Sequence, residues 1–282
     1  MRILVLGAAG MLGHSLFKFL SNQSGLEVFG TAREENRLRN YYSDQELVRI
    51  YERVDAELFD SVVDVFSRVR PDVVINCIGI IKQLKSAEDP LLCLNINALF
   101  PHRLAKLTDV CGARLIHIST DCVFDGKKSN YTEDDPATAY DLYGKTKNLG
   151  ELSQYSHAIT LRFSIIGHEL NKSLSLIDWF LSQQQTVKGF TKAIYSGFPT
   201  IELAEIIKDL ILPRPDLSGL YHVSSDPINK YDLLKLVAEV YGKKVEIVPY
   251  DEFVLDRSLN SDRFRKRTGY TPPSWRELIQ KM

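Results

Sequence analysis

The chain has 282 residues, 44% hydrophobic and 25% charged, a balance that excludes a largely disordered polymer and allows a substantial core. Its net charge of -1 supplies no global field toward nucleic acid or an anionic membrane, and no apolar run reaches the length of a membrane span. Nucleic acid and membrane are therefore not expected partners.

The opening stretch MRILVLGAAG lacks the length and basic flank of a secretory leader. The four cysteines, Cys77, Cys93, Cys111 and Cys122, show no CxxC or Cys/His spacing for zinc. They read as reduced thiols of a cytoplasmic protein, at least three of them packing residues. Arg2–Leu6 is a short apolar run of the kind a parallel sheet buries on both faces. It ends in Gly7-Ala8-Ala9-Gly10-Met11-Leu12-Gly13 and continues as a helix through Leu20. In this GxxGxxG spacing Gly7 permits a tight turn, Gly10 lets backbone approach a pyrophosphate, and Gly13 lets helix close on strand. Met11 and Leu12 then stand at a helix N-terminus suited to phosphate. Three glycines can also simply make a turn.

Glu27–Thr31 reads as the second strand. Arg33 follows it where NAD-preferring sites carry an acid, which favours NADP(H) with NAD(H) as the other possibility. Glu34 and Glu35 come next, and an exposed loop arginine is the bland alternative. Residues 34–49 are polar and irregular. Glu52–Ala56 is expected as the third strand, with Asp55 set to accept an adenine amino group or to cap the following helix, Leu58–Val69. Asp72–Cys77 is the fourth strand, a β-branched run behind Pro71. Gly79, after Ile78, lets backbone lie against a cofactor.

Leu94–Cys111 reads as a helix carrying Asn97, Arg114–Ile118 as the fifth strand, broken by a polar turn at Ser119-Thr120-Asp121, and Ala158–Phe163 as the sixth strand. This alternation demands an α/β doubly wound parallel Rossmann sheet, whose ligands bind beyond the strands' carboxyl ends. Gly7, Asp55, Gly79, Ser119, Thr120 and Ser164 all fall at such ends. After Phe163 the rhythm changes. An amphipathic segment (Leu174 to Gln184) precedes the loop KGFTKAIYSGFPT, a helix from Ile201 to Leu212, a short strand Leu220–Val223 that can rejoin the sheet, a helix Lys230–Tyr241 and a last helix behind Pro272-Pro273. The expected division is a dinucleotide-binding domain over residues 1–163, with 200–226 packing back onto it, and a smaller substrate-binding domain over 164–282.

Tyr143 and Lys147 lie four residues apart and share a helix face. A free tyrosine titrates at about 10; Lys147, with the charge of an oxidised cofactor, would stabilise the phenolate and also hold the nicotinamide ribose. Thr120 can polarise a carbonyl. The structural alternative has Tyr143 packed and Lys147 solvated. A second YxxxK, Tyr231 to Lys235, has no such strand and turn before it, and Tyr231 is expected to face the core. His117 is expected to be a satisfied core residue. Lys82, Lys192, Arg257 and Arg263 could contact a diphosphate, though each is more simply a surface charge.

The segments GAAGMLG, RPDVVINC, LNINA, HISTDCVFDG, YGKTKNLGE, LRFSIIG, SGFPT and GLYHVSSDPINKYDLL together resemble the extended short-chain dehydrogenases/reductases, and among them the dTDP-4-dehydrorhamnose reductase family, over essentially the whole chain. The resemblance implies NADP(H)-dependent reduction of a 4-keto group on a nucleoside-diphosphate 6-deoxyhexose, for cell-surface polysaccharide synthesis. It implies Thr120, Tyr143 and Lys147 as catalytic residues and Asn97 as the asparagine near them. Cofactor contacts would come from Gly7, Gly10, Met11, Leu12, Gly13, Arg33, Asp55, Ala56, Cys77, Ile78, Gly79, Asn97, Ser119, Tyr143, Lys147 and Phe163. Substrate contacts would come from Lys82, Thr120, Asp121, Cys122, Tyr143 and Lys192. Related reductases are often homodimers. Two departures bear on the sugar: Cys122 replaces the usual tyrosine of STDYVFDG, and NCIGIIKQLKSAED replaces a pattern like NAAAYTAVDxAE. A UDP-2-acetamido-2,6-dideoxy-4-ketohexose fits such a reshaped pocket. The chain also resembles the methionine adenosyltransferase β subunit, which makes a non-catalytic NADP-binding regulatory subunit the alternative.

Overall fold

The computed structural model describes residues 1–34, 38–83, 85–170 and 175–282, without the side chain of Lys85; Glu35 and Leu174 lie outside the described residues. Strand β1 (Arg2–Leu6) buries Ile3 through Leu6 completely and runs through the glycine turn into helix α1 (Met11–Ser21). Strand β2 (Glu27–Thr31) pairs parallel with β1. The polar stretch beyond it holds a one-turn helix α2 (Asp44–Leu47), where Ser43 and Glu46 form a reciprocal capping box.

Strand β3 is Ile50–Tyr51, not Glu52–Ala56. Ile50 is buried and pairs with Gly30, whereas Arg53 turns left-handed (φ 59°) and ends the extended run. Helix α3 (Phe59–Val69) and strand β4 (Val73–Asn76) follow the expected pattern. The next helix begins earlier than expected, at Pro90 behind an Asp89 cap: α4 (Pro90–Cys93) widens into a π turn over Leu94–Leu99 and continues as α5 (Phe100–Val110). Strand β5 (Arg114–Thr120) is longer than expected, because Ser119 and Thr120 still pair with Arg162 and Phe163; the turn starts only at Asp121. Helix α6 (Leu142–Leu149) and strand β6 (Ala158–Phe163) complete this half.

In the second half, β7 (Ile165–Ile166) and α7 (Leu176–Ser182) precede a stretch expected as loop that instead forms β8 (Val187–Phe190), β9 (Ala193–Tyr195) and β10 (Phe198–Pro199). Helix α8 (Thr200–Ile206) runs into a π segment, Ile207–Ile211. Then come β11 (Gly219–His222), β12 (Ile228–Asn229), α9 (Lys230–Tyr241), β13 (Ile247–Tyr250), β14 (Leu255–Asp256), α10 (Asp262–Thr268) and α11 (Trp275–Lys281).

Seven strands form one parallel sheet in the order β11-β6-β5-β4-β1-β2-β3. The order reverses between β1 and β4, the point where doubly wound sheets open a ligand crevice. One face carries Leu16, Phe17, Leu20, Leu203 and Ile207; the other carries Val62, Phe66, Phe100 and Leu104. Thus α8 shares a core with α1, and β11 rejoins the sheet beside β6. A separate apolar cluster of Ile177, Phe180, Leu233, Leu234, Val237 and Ile279 holds α7, α9 and α11 together. Among the described residues no helix is long and apolar enough to cross a membrane.

The junction of the π turn with α6 is tight enough to dictate a residue. A Cβ at Gly150 would stand 2.0 Å from the Asn97 carbonyl oxygen, a rigid backbone atom. Gly150→Ala is expected to lower stability by about 1–3 kcal/mol, read as a fall in the urea midpoint without a change in slope; an unshifted midpoint would show the contact to be looser than drawn.

Candidate active site

The glycine turn is held from three sides. Gly7 adopts φ 85°, its N–H donates to Thr31 Oγ1 at 3.1 Å, and the Ala8 N–H donates to the Thr31 carbonyl at 2.8 Å. A Cβ on Gly13 would sit 2.1 Å from Gly7 O, so only glycine lets α1 approach the strand end this closely. Gly10 caps α1 with no side-chain hydrogen bond, and the first-turn N–H groups of Met11, Leu12 and Gly13 have no partner among the described residues, which suits them to meet an anion. The third support went unread in the sequence: the buried Tyr42 donates its hydroxyl to Ala8 O at 2.8 Å and sets its ring edge-on to Phe17.

The other cofactor candidates divide. Ile78 would be 3.2 Å from a Cβ at Gly7, so the Cys77–Gly79 loop lies against the glycine turn. Arg33 is 61% exposed and 3.9 Å from Glu34. Asp55 stands beyond β3 in a local turn, its Oδ1 accepting from the Glu57 N–H at 3.0 Å, while Ala56 is buried in the core. Phe163 is buried at the end of β6, paired with Thr120.

Helix α6 delivers Tyr143 and Lys147. Its N-cap Asp141 accepts from the Gly144 N–H and from Lys82 Nζ, both at 2.7 Å, so the Lys82 ammonium is tied to the cap. A Cβ at Gly144 would be 2.2 Å from Cys122 O; glycine lets the helix touch the turn after β5. There Thr120 and the Tyr143 phenol come close enough to influence one another. Desolvation first, then the neighbouring Cys122, raises the Tyr143 pKa, and the adjacent Thr120 hydroxyl pulls it down. Tyr143 is therefore a neutral phenol in this state. Lys147 Nζ donates to Ile118 O at 2.7 Å.

Lys147 is 6% exposed, and its Nζ lies 3.8 Å from where a Cβ on Gly79 would be. Desolvation lowers its pKa to about 8, opposed chiefly by the charge of Glu151. Asn97 pins the loop after β4: its Oδ1 accepts from the Ile80 N–H at 2.9 Å, and its Nδ2 reaches Ile80 O at 3.3 Å and Thr146 Oγ1 at 3.4 Å. The cysteines are less uniform than expected. Cys93 is buried, Cys111 is exposed, and Cys77 and Cys122 are partly accessible with thiol pKa values pushed up to about 12 by desolvation.

Beneath the site runs a charged network the sequence reading missed. Ser119 Oγ donates to Glu151 Oε1 at 2.6 Å, and Arg162 donates to both Glu151 oxygens at 2.7 and 2.6 Å. Arg162 Nη1 meets His222 Nε2 at 3.2 Å, and His222 Nδ1 faces Tyr131 O at 3.0 Å. Desolvation and the adjacent Arg162 lower the His222 pKa to about 3. The ring is thus neutral, accepting at Nε2 and donating at Nδ1. The motif YGKTKNLGE contained a signal, since Glu151 stands four residues beyond Lys147.

Other candidates fall outside this centre. Lys192 is more than half exposed and 3.9 Å from Asp251. Arg263 pairs with Asp134 at 2.8 Å. Tyr231 is half-buried rather than core-facing, with Lys235 over its ring at 5.2 Å. His117 is fully buried but only half satisfied: Nδ1 bonds Asn76 at 3.1 Å, and Nε2 has no partner among the described residues. Asp121 and Cys122 do face the centre, with Thr120 Oγ1 reaching Asp121 Oδ1 at 3.2 Å and accepting from the Cys122 N–H at 3.1 Å.

The buried ammonium makes a testable statement. A lysine with a native pKa of about 8, below its ordinary 10.5, weighs on the fold fully below pH 8. That burden is relieved as pH rises toward 10.5, because in this window the unfolded chain binds the extra proton. Lys147→Met should exceed the wild type in stability by up to about 3 kcal/mol at pH 7, and the gap should shrink by pH 10. Urea midpoints at the two pH values check this; a gap independent of pH would contradict it.

The family model described as RmlD substrate binding domain matches residues 1–282, the whole chain. The spore coat polysaccharide biosynthesis protein SpsK of Bacillus subtilis (strain 168) is 27% identical, over 99% of this chain and 95% of its own. Methionine adenosyltransferase 2 subunit beta of Rattus norvegicus is 28% identical, over 86% of this chain and 72% of its own. Among solved structures, a dTDP-4-dehydrorhamnose reductase from Bacillus anthracis str. Ames in complex with NADP superposes with a TM-score of 0.80 at 22% identity, covering 99% of this chain and 96% of that one. That last likeness is one of fold.

Proposed function

The chain belongs to the RmlD substrate-binding domain family, and on that footing we propose that it is an NADPH-dependent reductase of the 4-keto group of a nucleoside-diphosphate 6-deoxyhexose. The observation that carries the reading is the meeting of Thr120, Tyr143 and Lys147 at the carboxyl end of β5, beside the Gly79 loop and across from the glycine turn. The cradle fits a dinucleotide: Gly7 and Gly13 leave room that any Cβ would fill, and the uncapped N-terminus of α1 offers N–H groups to a pyrophosphate. Bound NADPH supplies the hydride. The protein's part is to bind, orient and protonate. Thr120 donates its hydroxyl to the carbonyl oxygen and stabilises charge as it develops there. Tyr143, kept neutral by desolvation, gives its proton to the same oxygen. Lys147, anchored on Ile118 O, holds the nicotinamide ribose and supplies positive charge beside the departing phenolic proton.

The finer parts of the reading have separate supports. Arg33, exposed at the end of β2, suits a 2'-phosphate and so NADP over NAD. The third apolar cluster, around α9, draws only on residues beyond Phe163, which supports a boundary there, while Leu203, Ile207, Tyr221 and Phe264 join the core of the sheet. A role in cell-surface polysaccharide synthesis draws on the SpsK likeness. A cytoplasmic homodimer completes the reading, its location supported by four free thiols. A second reading, a regulatory subunit without turnover, draws on the methionine adenosyltransferase subunit, which matches at 28% identity.

Tyr143→Phe separates the two. NADPH oxidation with a panel of nucleotide 4-keto sugars should fall about 10²–10⁴-fold in kcat while NADPH still binds; unchanged turnover would sink the reductase mechanism. For the cofactor, Arg33→Ala should raise KM for NADPH about tenfold and leave KM for NADH where it was. Equal effects on both would remove the case for NADP preference.

A further inference from the structure

Beyond Thr120 and Tyr143, on the side away from the glycine turn, the second half of the chain brings up a group of donors that the mechanism does not use. Arg257 follows β14, which pairs with β9. Its Nη1 donates to Cys122 Sγ at 3.4 Å, and its Nε is buried with no partner among the described residues. Lys230, the first residue of α9, stands within electrostatic reach of Asp121, Cys122 and Arg257. Tyr195, at the end of β9, is 8% exposed and lies near Asp121.

Three features say what this group is for. A thiol is a weak acceptor, so a guanidinium with one N–H on sulfur and another on nothing is under-satisfied. Among the described residues none of the nearby carboxylates hydrogen-bonds Arg257: Asp141 Oδ1 and Oδ2 accept from the Gly144 N–H and Lys82, Asp256 Oδ1 accepts from the Ser258 N–H, and Asp121, whose Oδ1 accepts from Thr120, meets Arg257 only through its charge. The position is also close to the chemistry. Cys122 carries the sulfur that Arg257 touches, and its own N–H rests on Thr120 Oγ1 at 3.1 Å. A group binding Arg257 therefore sits on the sugar ring whose carbonyl meets Thr120, not on the nucleotide. Finally, a cysteine at 122 leaves space that a larger side chain would take.

We propose that Arg257, supported by Lys230, is a specificity-determining residue that reads an acceptor-only oxygen on the substrate's sugar ring, the carbonyl of an acylamino group or a carboxylate. Binding exchanges the thiol for that oxygen and satisfies the free Nε. This inference rests on the proposed function for the placement of the sugar, but its test does not need turnover.

The experiment titrates NADP⁺-loaded protein with UDP-N-acetylglucosamine, UDP-glucuronate and UDP-glucose by calorimetry. Wild type should bind one of the first two about tenfold or more tighter than UDP-glucose, the size of one satisfied charged hydrogen bond. The favoured ligand tells acylamino from carboxylate. Arg257→Met should bring the preference to within about twofold while UDP-glucose and NADP⁺ bind as before. Arg257→Lys, which keeps charge and volume but not the fork, should retain part of it. Absence of any preference in the wild type, or its survival in Arg257→Met, overturns the assignment. Tyr143→Phe should keep the preference, so a failed reductase reading and a failed Arg257 assignment give different results.

Discussion

The site depends on a buried ion pair that never touches it. Glu151 and Arg162 are 7% and 4% exposed, and their bond joins the exit of α6 to strand β6. Two charges out of water do not guarantee stability; the desolvation cost offsets much of their attraction unless every remaining donor and acceptor is satisfied. Here they are well satisfied. Glu151 also takes the Ser119 hydroxyl, Arg162 also reaches His222, and the guanidinium lies 5.1 Å over the Phe124 ring. The network fixes position. Ser119 is held one residue before Thr120, and Glu151 stands one helical turn beyond Lys147, whose charge it supports. If the pair were lost, the phenol, the hydroxyl and the ammonium would each remain, but the common frame that aligns them would not.

That frame explains why α6 can be short. Eight residues are too few to hold a helix in isolation. Asp141 caps one end, Gly144 and Gly150 allow backbone contact with Cys122 and Asn97, and Glu151 anchors the exit. The π turn over Leu94–Leu99 belongs to the same fitting, because it sets Asn97 against both the Ile80 loop and Thr146. The catalytic candidates are thus placed by a ring of local restraints around the helix, and the helix contributes little by its own propensity.

The parallel sheet was legible because its signals are local: apolar runs, helix periodicity between them, and glycines at the first turn. The meeting of Thr120, Tyr143 and Lys147 was legible for the same reason, as strand, turn and helix lie within one stretch. Elsewhere pairing is decided by distant chain. β3 settles on Ile50–Tyr51 because Gly30 and Thr31 of β2 accept it there and Arg53 turns away. β8, β9 and β10 are two to four residues each and find their partners in β13, β12, β14 and β7, which no window on KGFTKAIYSGFPT contains. Tyr42 lay hidden in a polar stretch whose readable feature was the Ser43–Glu46 cap. Arg162 and His222 looked like strand residues, and their charge only acquires meaning once β6 and β11 are neighbours. For Lys147 the i, i+4 spacing predicts a face shared with Tyr143 but carries no sign of the Ile118 carbonyl that accepts from the ammonium.

The two ends of the sheet bear on a different property, the tendency of chains to join edge to edge. An open strand edge is a template for another molecule's backbone. On one side the template is β3, two residues long and cut off by the left-handed Arg53. On the other, β11 directs the Tyr131 region and its neighbours against its outer side, and the outward His222 N–H is already taken by Glu133 Oε1 at 2.8 Å. The His222 that completes the buried network from its ring thus also seals the border from its backbone. Both flanks of the parallel sheet thus leave little open backbone for edge-to-edge strand pairing.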